Sequence, residues 1–258
     1  MAEGDTILRA ARRIEAAIGG EPVETSAPNP RGRTTRIERL DGRALERASG
    51  HGKHLLLHFG DLVLHSHLGM SGSWHTYRQG EPWRKPTTSA WAVLSTGRAE
   101  AVQFGGPTLR LLRAEAVPRD PALARLGPDI LAPDFESERI AQSLRGAPER
   151  SLGDALLDQH LVAGIGNIFK SEACFAARLD PWQPVGKLPD EQLQHVAQAA
   201  HDLMHEAVED GRGDRAVYKR AGRPCPRCGT KIRSRGQGDA NRTTYWCPSC
   251  QVAAMRRS

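Results

Sequence analysis

Two Cys-x-x-Cys pairs, Cys225-Pro-Arg-Cys228 and Cys247-Pro-Ser-Cys250, stand 18 residues apart near the end of this 258-residue chain. Two tight turns joined by a hairpin bring four thiolates to the corners of a tetrahedron, the arrangement zinc accepts. The spacing predicts a zinc ribbon with one structural zinc ion per chain, held by Cys225, Cys228, Cys247 and Cys250, and a strand over Thr243–Trp246. Two disulfides or a redox pair are the competing readings. Disulfides do not suit a chain expected inside the cell, and a redox pair needs no matching partner. The fifth cysteine, Cys174, lies in an apolar helical pattern and reads as a small buried hydrophobe.

Charge is distributed unevenly. Residues 212–258 carry 12 Lys/Arg against Asp214 and Asp239, a net +10, and the remainder is −4. A basic module on an acidic body suggests a polyanionic partner. Within the ribbon, Lys231, Arg233, Arg235 and Arg242 sit on a metal-tied loop where phosphate contact is favoured over a merely solvated face. The start, Met-Ala-Glu-Gly-Asp, is acidic and is not read as a signal peptide. No apolar run reaches the ~20 residues of a membrane helix. A cytoplasmic monomer is expected, nucleoid-associated if the cell is bacterial, with no membrane partner.

The body divides into a β-rich half and a helical half, an α+β chain. Ile7, Ala10, Ala11, Ile14, Ala17 and Ile18 follow helical spacing, with Asp5 or Thr6 as the expected cap and Gly19-Gly20 as the stop. Strands are expected at Lys53–Phe59, Leu62–Leu68, Trp91–Ser95, Ala99–Phe104 and Thr108–Arg113, a spacing that suggests a sandwich or barrel. Residues 114–133, punctuated by four prolines, read as a linker. Helices follow over 135–145, 151–159, 167–178 and 189–209. The expected domains are 1–133, 134–220 and, for the finger, 221–258. The stretch from Asp154 to Glu172 reads as a helix ending near Gln159-His160, a turn with Gly164 and Gly166, and a second helix from Asn167. A new helix N-terminus offers unpaired N–H groups to a phosphate, and Asn167 can cap it or donate alongside.

Several motifs occur in a specific order: Glu3-Gly4-Asp5, Gly52-Lys53-His-Leu-Leu, His67-Leu-Gly-Met70-Ser-Gly-Ser73, Val162-Ala-Gly-Ile-Gly-Asn167-Ile and the cysteine finger. In these the chain resembles the formamidopyrimidine-DNA glycosylase/endonuclease VIII family over nearly its whole length. The resemblance implies an N-terminal helix with a two-layer β-sandwich, then a helix–two-turn–helix domain with the zinc finger. DNA would lie in the cleft between them, and the partner is damaged double-stranded or abasic DNA. It implies an attacking N-terminal amine on Ala2 once Met1 is removed, Glu3 as general acid/base, and Lys53 beside the lesion phosphate. It further implies that Met70 fills the void left by the flipped nucleotide, while Asn167 and Arg242 grip the flanking phosphates.

The chain departs from the family pattern in three places. The family has proline where this chain has Ala2. A proline amine forms an iminium that must stay cationic, whereas an alanine imine can lose its proton. That difference admits a second reading, a damaged-DNA binding protein with slowed or lost lyase turnover. The oxidised-purine branch carries an Arg-Arg-Phe-type loop, and here the region reads Val102-Gln-Phe-Gly-Gly-Pro107. The segment between Asp210 and Tyr218 is too short for that branch's lesion cap. Oxidised pyrimidines, ring-opened or hydantoin lesions and abasic sites are therefore expected above 8-oxoguanine.

Overall fold

The computed structural model describes residues 2–252. They fall into two compact units that divide between Arg125 and Leu126.

The first unit opens with helix α1 (Gly4–Ile18), whose buried stripe is Ile7, Ala11, Ile14 and Ile18. The expected cap is corrected. Glu3 is the N-cap, in extended conformation and with no side-chain cap bond, while Asp5 lies buried in the first turn. The strands are β1 (Glu24–Ser26), β2 (Arg47–His51), β3 (His54–Phe59), β4 (Leu62–His67), β5 (Ser73–Arg78), β6 (Ala90–Ser95), β7 (Ala99–Phe104) and β8 (Thr108–Arg113). Short helix α2 (Pro30–Arg33) follows β1. Two antiparallel four-stranded sheets result, ordered β1-β6-β7-β5 and β2-β3-β4-β8. Alternation aims Leu55, Leu57 and Phe59 of β3 and Leu62 and Leu64 of β4 at one core, which they share with Ala92, Leu94 and Ala101 of the other sheet and with α1. This is the sandwich alternative of the expectation.

The expected linker at 114–133 is also corrected. Its first part forms a 3-10 helix (Ala114–Arg119) that packs on β4 and β8, and Asp120 beyond it is buried. Its last part enters the second unit's core through Ile130.

The second unit contains α3 (Ser137–Arg145), α4 (Leu152–Ala155), α5 (Asn167–Ala176) and α6 (Asp190–Glu209). The helix expected over 151–159 shrinks to α4. The rest is a turn held by Gln159, whose amide donates to Leu157 O and Ile165 O and accepts from Gly164 N at 3.1 Å. The finger hairpin, β9 (Arg233–Gln237) with β10 (Arg242–Trp246), belongs to the same unit. Among the described residues, no helix is long and apolar enough to cross a membrane.

Candidate functional site

The register of the β2-β3-β4-β8 sheet gathers several predicted residues at one of its ends. His51 pairs His54 around a turn that holds Gly52 and Lys53. Lys53 therefore lies in the turn, not in the strand expected from 53. His54 pairs His67, and His67 pairs Thr108, so the ends of β4 and the start of β8 lie beside that turn. The chain leaves β4 into the Leu68–Ser71 turn, closed by Gly72 N donating to Leu68 O at 2.8 Å. Met70 is 64% exposed there, which rules out a core methionine. Gly69, with φ +58, must be small, because a Cβ would come 2.8 Å from Pro107 Cδ. The Met70 turn thus rests on the Gly105–Pro107 loop.

The start of α1 meets the same region. A Cβ on Gly50 would stand 3.3 Å from Ile7 Cγ2, so the strand entering the Lys53 turn runs against the first turn of α1. Glu3 is fully buried, and Ala2 packs against the sandwich core. Ala2, Glu3, Lys53 and Met70 accordingly belong to one end of one unit.

Histidines crowd this end on the sheet face away from the core. His54 Nδ1 and His65 Nε2 are 2.8 Å apart, and Arg110 Nε donates to His65 Nδ1 at 3.0 Å. Arg110 also bonds the buried Asp120. Burial, then the neighbouring His65, His67, His51 and Arg110, push His54 down to about 3. Burial and Arg110 push His65 down to about 4, with Asp120 opposing. His67 is lowered by burial and then by Lys53. Burial works against the charge of Asp120, yet the Arg110 hydrogen bond holds its carboxyl below the usual range. Sequence reasoning missed this chain. Its signal was present in strand period: His54, Leu56 and His58 alternate on one face, as do Val63, His65 and His67.

In the second unit, Asn167 begins α5 and Gly166 is the N-cap. The Asn167 amide donates to Thr243 O at 2.8 Å, next in chain to the exposed Arg242. The helix start and the finger hairpin are therefore joined, and these two predicted residues come together. Beneath them lies Lys170, fully buried, which the sequence reading also missed. Its Nζ donates to Thr244 Oγ1 at 2.6 Å, and Thr244 donates to Gln237 Oε1. Glu172 accepts from the backbone N–H groups of Ala216, Val217 and Tyr218 at 2.7–3.0 Å, which pins the short segment after α6.

The four finger sulfurs lie within 4.8 Å of one another. Cys225 and Cys250 are 3.9 Å apart and Cys228 and Cys247 3.5 Å, far beyond a disulfide bond. Four ligands at 2.3 Å from zinc would stand about 3.8 Å apart. The donor set fits, and a structural zinc site is assigned to these cysteines. Burial and the neighbouring thiols push Cys250 up to about 12, so the ion must displace protons there. Arg227, counted above among the basic tail, closes the end of α5 instead. Its guanidinium donates to Phe175 O and Ala176 O and lies 4.2 Å from the Phe175 ring centre. Arg235 stacks 3.9 Å from the Trp182 ring centre. Cys174 is fully buried, as expected. An open depression of about 260 Å³ along α6, lined by Ala176, His195, Gln198 and Asp202 among others, holds none of the predicted residues.

Residues 1–107 match the formamidopyrimidine-DNA glycosylase N-terminal domain, residues 126–218 the formamidopyrimidine-DNA glycosylase H2TH domain, and residues 222–252 the zinc finger found in FPG and IleRS. A probable endonuclease 8 2 of Streptomyces coelicolor is 42% identical over 100% of this chain and 96% of its own length. A DNA-(apurinic or apyrimidinic site) lyase Nei2 of Mycolicibacterium smegmatis is 37% identical over 98% of this chain and 100% of its own. A crystal structure of Lactococcus lactis formamidopyrimidine-DNA glycosylase, non-covalently bound to DNA containing an AP site, superposes with a TM-score of 0.84 at 24% identity, over 98% of this chain and 100% of that one.

Proposed function

Since the chain belongs to the formamidopyrimidine-DNA glycosylase/endonuclease VIII family, we propose that it is a base-excision-repair DNA glycosylase with abasic-site lyase activity, on the endonuclease VIII side of that family. The observation that carries this reading is the full-length similarity to an endonuclease 8 relative, with 42% identity across the whole chain. The partner is damaged or abasic DNA, and the work is done in the cytoplasm, at the nucleoid in a bacterial cell.

The chemistry follows from the residues at the Lys53 end of the sandwich. Removal of Met1 frees the α-amine of Ala2. An α-amine titrates near ~7.7–8.0, against ~10.4 for lysine, so a useful fraction is neutral at pH 7. Its lone pair attacks C1′ of the extruded deoxyribose, and the bond to the damaged base breaks. Glu3, adjacent in chain and withdrawn from solvent, protonates the ring oxygen as the imine forms. Loss of a C2′ proton then expels the 3′-phosphate, and hydrolysis of the imine returns the amine. Lys53 holds the phosphate beside the lesion. Met70, held out on its glycine turn, enters the stack when the nucleotide leaves it, a step that costs a few kcal/mol.

The second unit grips the backbone. Asn167 and Arg242, joined through Thr243, face the phosphates around the flipped nucleotide. The zinc ion holds the finger loop that carries Arg242. Oxidised pyrimidines, ring-opened and hydantoin lesions and abasic sites are the substrates, because the Gly105–Pro107 loop offers no arginine to an opposite cytosine.

A cleavage panel on matched duplexes tests the proposal. An oxidised pyrimidine and an abasic site should be cut fastest, with intact duplex untouched. Preference for 8-oxoguanine opposite cytosine would overturn the substrate assignment. Tight lesion binding without scission would favour the second reading, a binding protein, which the alanine at position 2 admits.

A further inference from the structure

The histidine chain behind Lys53 has a polarity that its terminal members dictate. A guanidinium has only donors, so His65 Nδ1, 3.0 Å from Arg110 Nε, must accept. His65 is then the neutral tautomer with its proton on Nε2. That proton points at His54 Nδ1, 2.8 Å away, which must accept in turn. His54 therefore carries its proton on Nε2. Neither ring can gain a second proton without setting two N–H groups against each other. Asp120, buried at the far end, fixes Arg110 through a charge-assisted hydrogen bond.

We propose that Arg110 writes the proton positions of His65 and His54, and that His54, so locked, is a positioning residue for the Lys53 turn. His54 follows Lys53 directly and closes its hairpin by pairing with His51. Its ring centre lies 4.7 Å from that of His67 and 5.0 Å from that of His65. The chain thus fixes the strand end from which Lys53 and the β4 exit both spring. The charged and titratable groups facing it are Lys53 from the turn, His51 from β2, His67 from β4, Arg110 from β8 and Asp120 beyond the 3-10 helix. A locked neutral pair adds no new charge beside Lys53 as pH falls through the ordinary histidine range. This assignment rests on the reading of Lys53 as a residue of the reaction centre.

The test combines a spectrum with a rate. Long-range ¹H–¹⁵N correlation of the wild-type protein at pH 6–7 should show an unprotonated Nδ1 and a protonated Nε2 for both His54 and His65. The opposite tautomer, or an imidazolium, in either ring overturns the proposal whether or not any variant folds. Arg110→Met should slow borohydride trapping on abasic DNA roughly tenfold. It should also move the acid limb of the pH profile upward, because His65 loses one of the two main causes that keep it neutral while its burial remains. Lys53→Gln is assayed alongside. If Lys53→Gln is impaired but Arg110→Met traps at the wild-type rate with the wild-type profile, the positioning role fails alone. If Lys53→Gln itself traps at the wild-type rate, the reading of Lys53 fails and takes this role with it.

Discussion

The two compact units treat buried ionisable groups in opposite ways. The sandwich keeps His54 and His65 uncharged, with values pushed down to about 3 and about 4, and lets one Arg110–Asp120 pair fix their protons. The helical unit buries Lys170 and Glu172 and surrounds them with hydroxyl and backbone partners. It also gathers four thiols whose charge a metal must balance. The first unit's integrity thus depends on protons, and the second's on zinc. For the two histidines of the first, burial disfavours the charged form. In the second, hydrogen bonds and metal coordination compensate for burying it.

Zinc removal should separate the units most strongly. Structural zinc contributes about 10–16 kcal/mol of apparent binding free energy in isolated fingers. Chelation, or Cys247→Ala, should disorder residues 222–252 and reduce DNA affinity at least about a hundredfold, as removal of a folded phosphate-binding module requires. Hydrogen exchange in β3 and β4 should stay unchanged. Equal loss of protection in both units would break the comparison.

Glu3→Gln tests the converse, a lesion in chemistry without a lesion in binding. Removing a general acid/base should slow trapping by roughly 10²–10⁴. Affinity for an uncleavable abasic analogue should stay within about twofold, since positioning contacts lie elsewhere. A matched fall in affinity would assign Glu3 to structure.

Acid sharpens the contrast next. The unfolded chain protonates its histidines near ~6.5, while folded His54 and His65 resist until about 3 and about 4. Between those values the unfolded state binds more protons, so stability is fully present above pH 6.5 and is lost as pH falls. Each histidine adds a slope of up to about 1.4 kcal/mol per pH unit. Chemical denaturation followed through Trp74, whose indole bonds Ser66 in the sandwich, should show its midpoint falling from pH 7 to pH 5. A midpoint independent of pH would contradict the lowered values.

Smaller effects concern the second unit. Lys170→Met removes the donor to Thr244 Oγ1, while the bond from Thr244 to Gln237 remains, and should cost about 1–3 kcal/mol, read as a lowered Tm. Arg242→Ala should weaken binding to every lesion alike and reduce the salt slope by about one. A loss confined to one lesion would give Arg242 a role in base recognition.

What could be read beforehand follows from how local each signal is. The zinc ligands were readable because a metal's geometry is written into spacing. The strands β3, β4, β6, β7 and β8 announced themselves through apolar runs. The strands β1, β2 and β5 did not, and all three lie at sheet edges. Sequences such as Arg47-Ala-Ser-Gly-His51 carry little apolar pattern, and pairing with a neighbour makes them strands. The cap of α1 was misplaced by two or three residues because burial of Glu3 and Asp5 outweighs the capping preference of short polar side chains. Arg227 counted only as one more charge of the basic tail, and only the fold reveals it closing α5. Lys170 was hidden for a similar reason: a lysine in a helix is ordinarily solvated, and its partners lie about 70 residues away on the finger.

The whole proposed reaction begins with the freed α-amine of Ala2 as nucleophile. Borohydride reduction of the protein on abasic DNA, followed by peptide mapping of the cross-link, tests it directly. A single DNA adduct on the Ala2 nitrogen is expected. An adduct on Lys53 Nζ, or no adduct under conditions where the strand is cut, would contradict it.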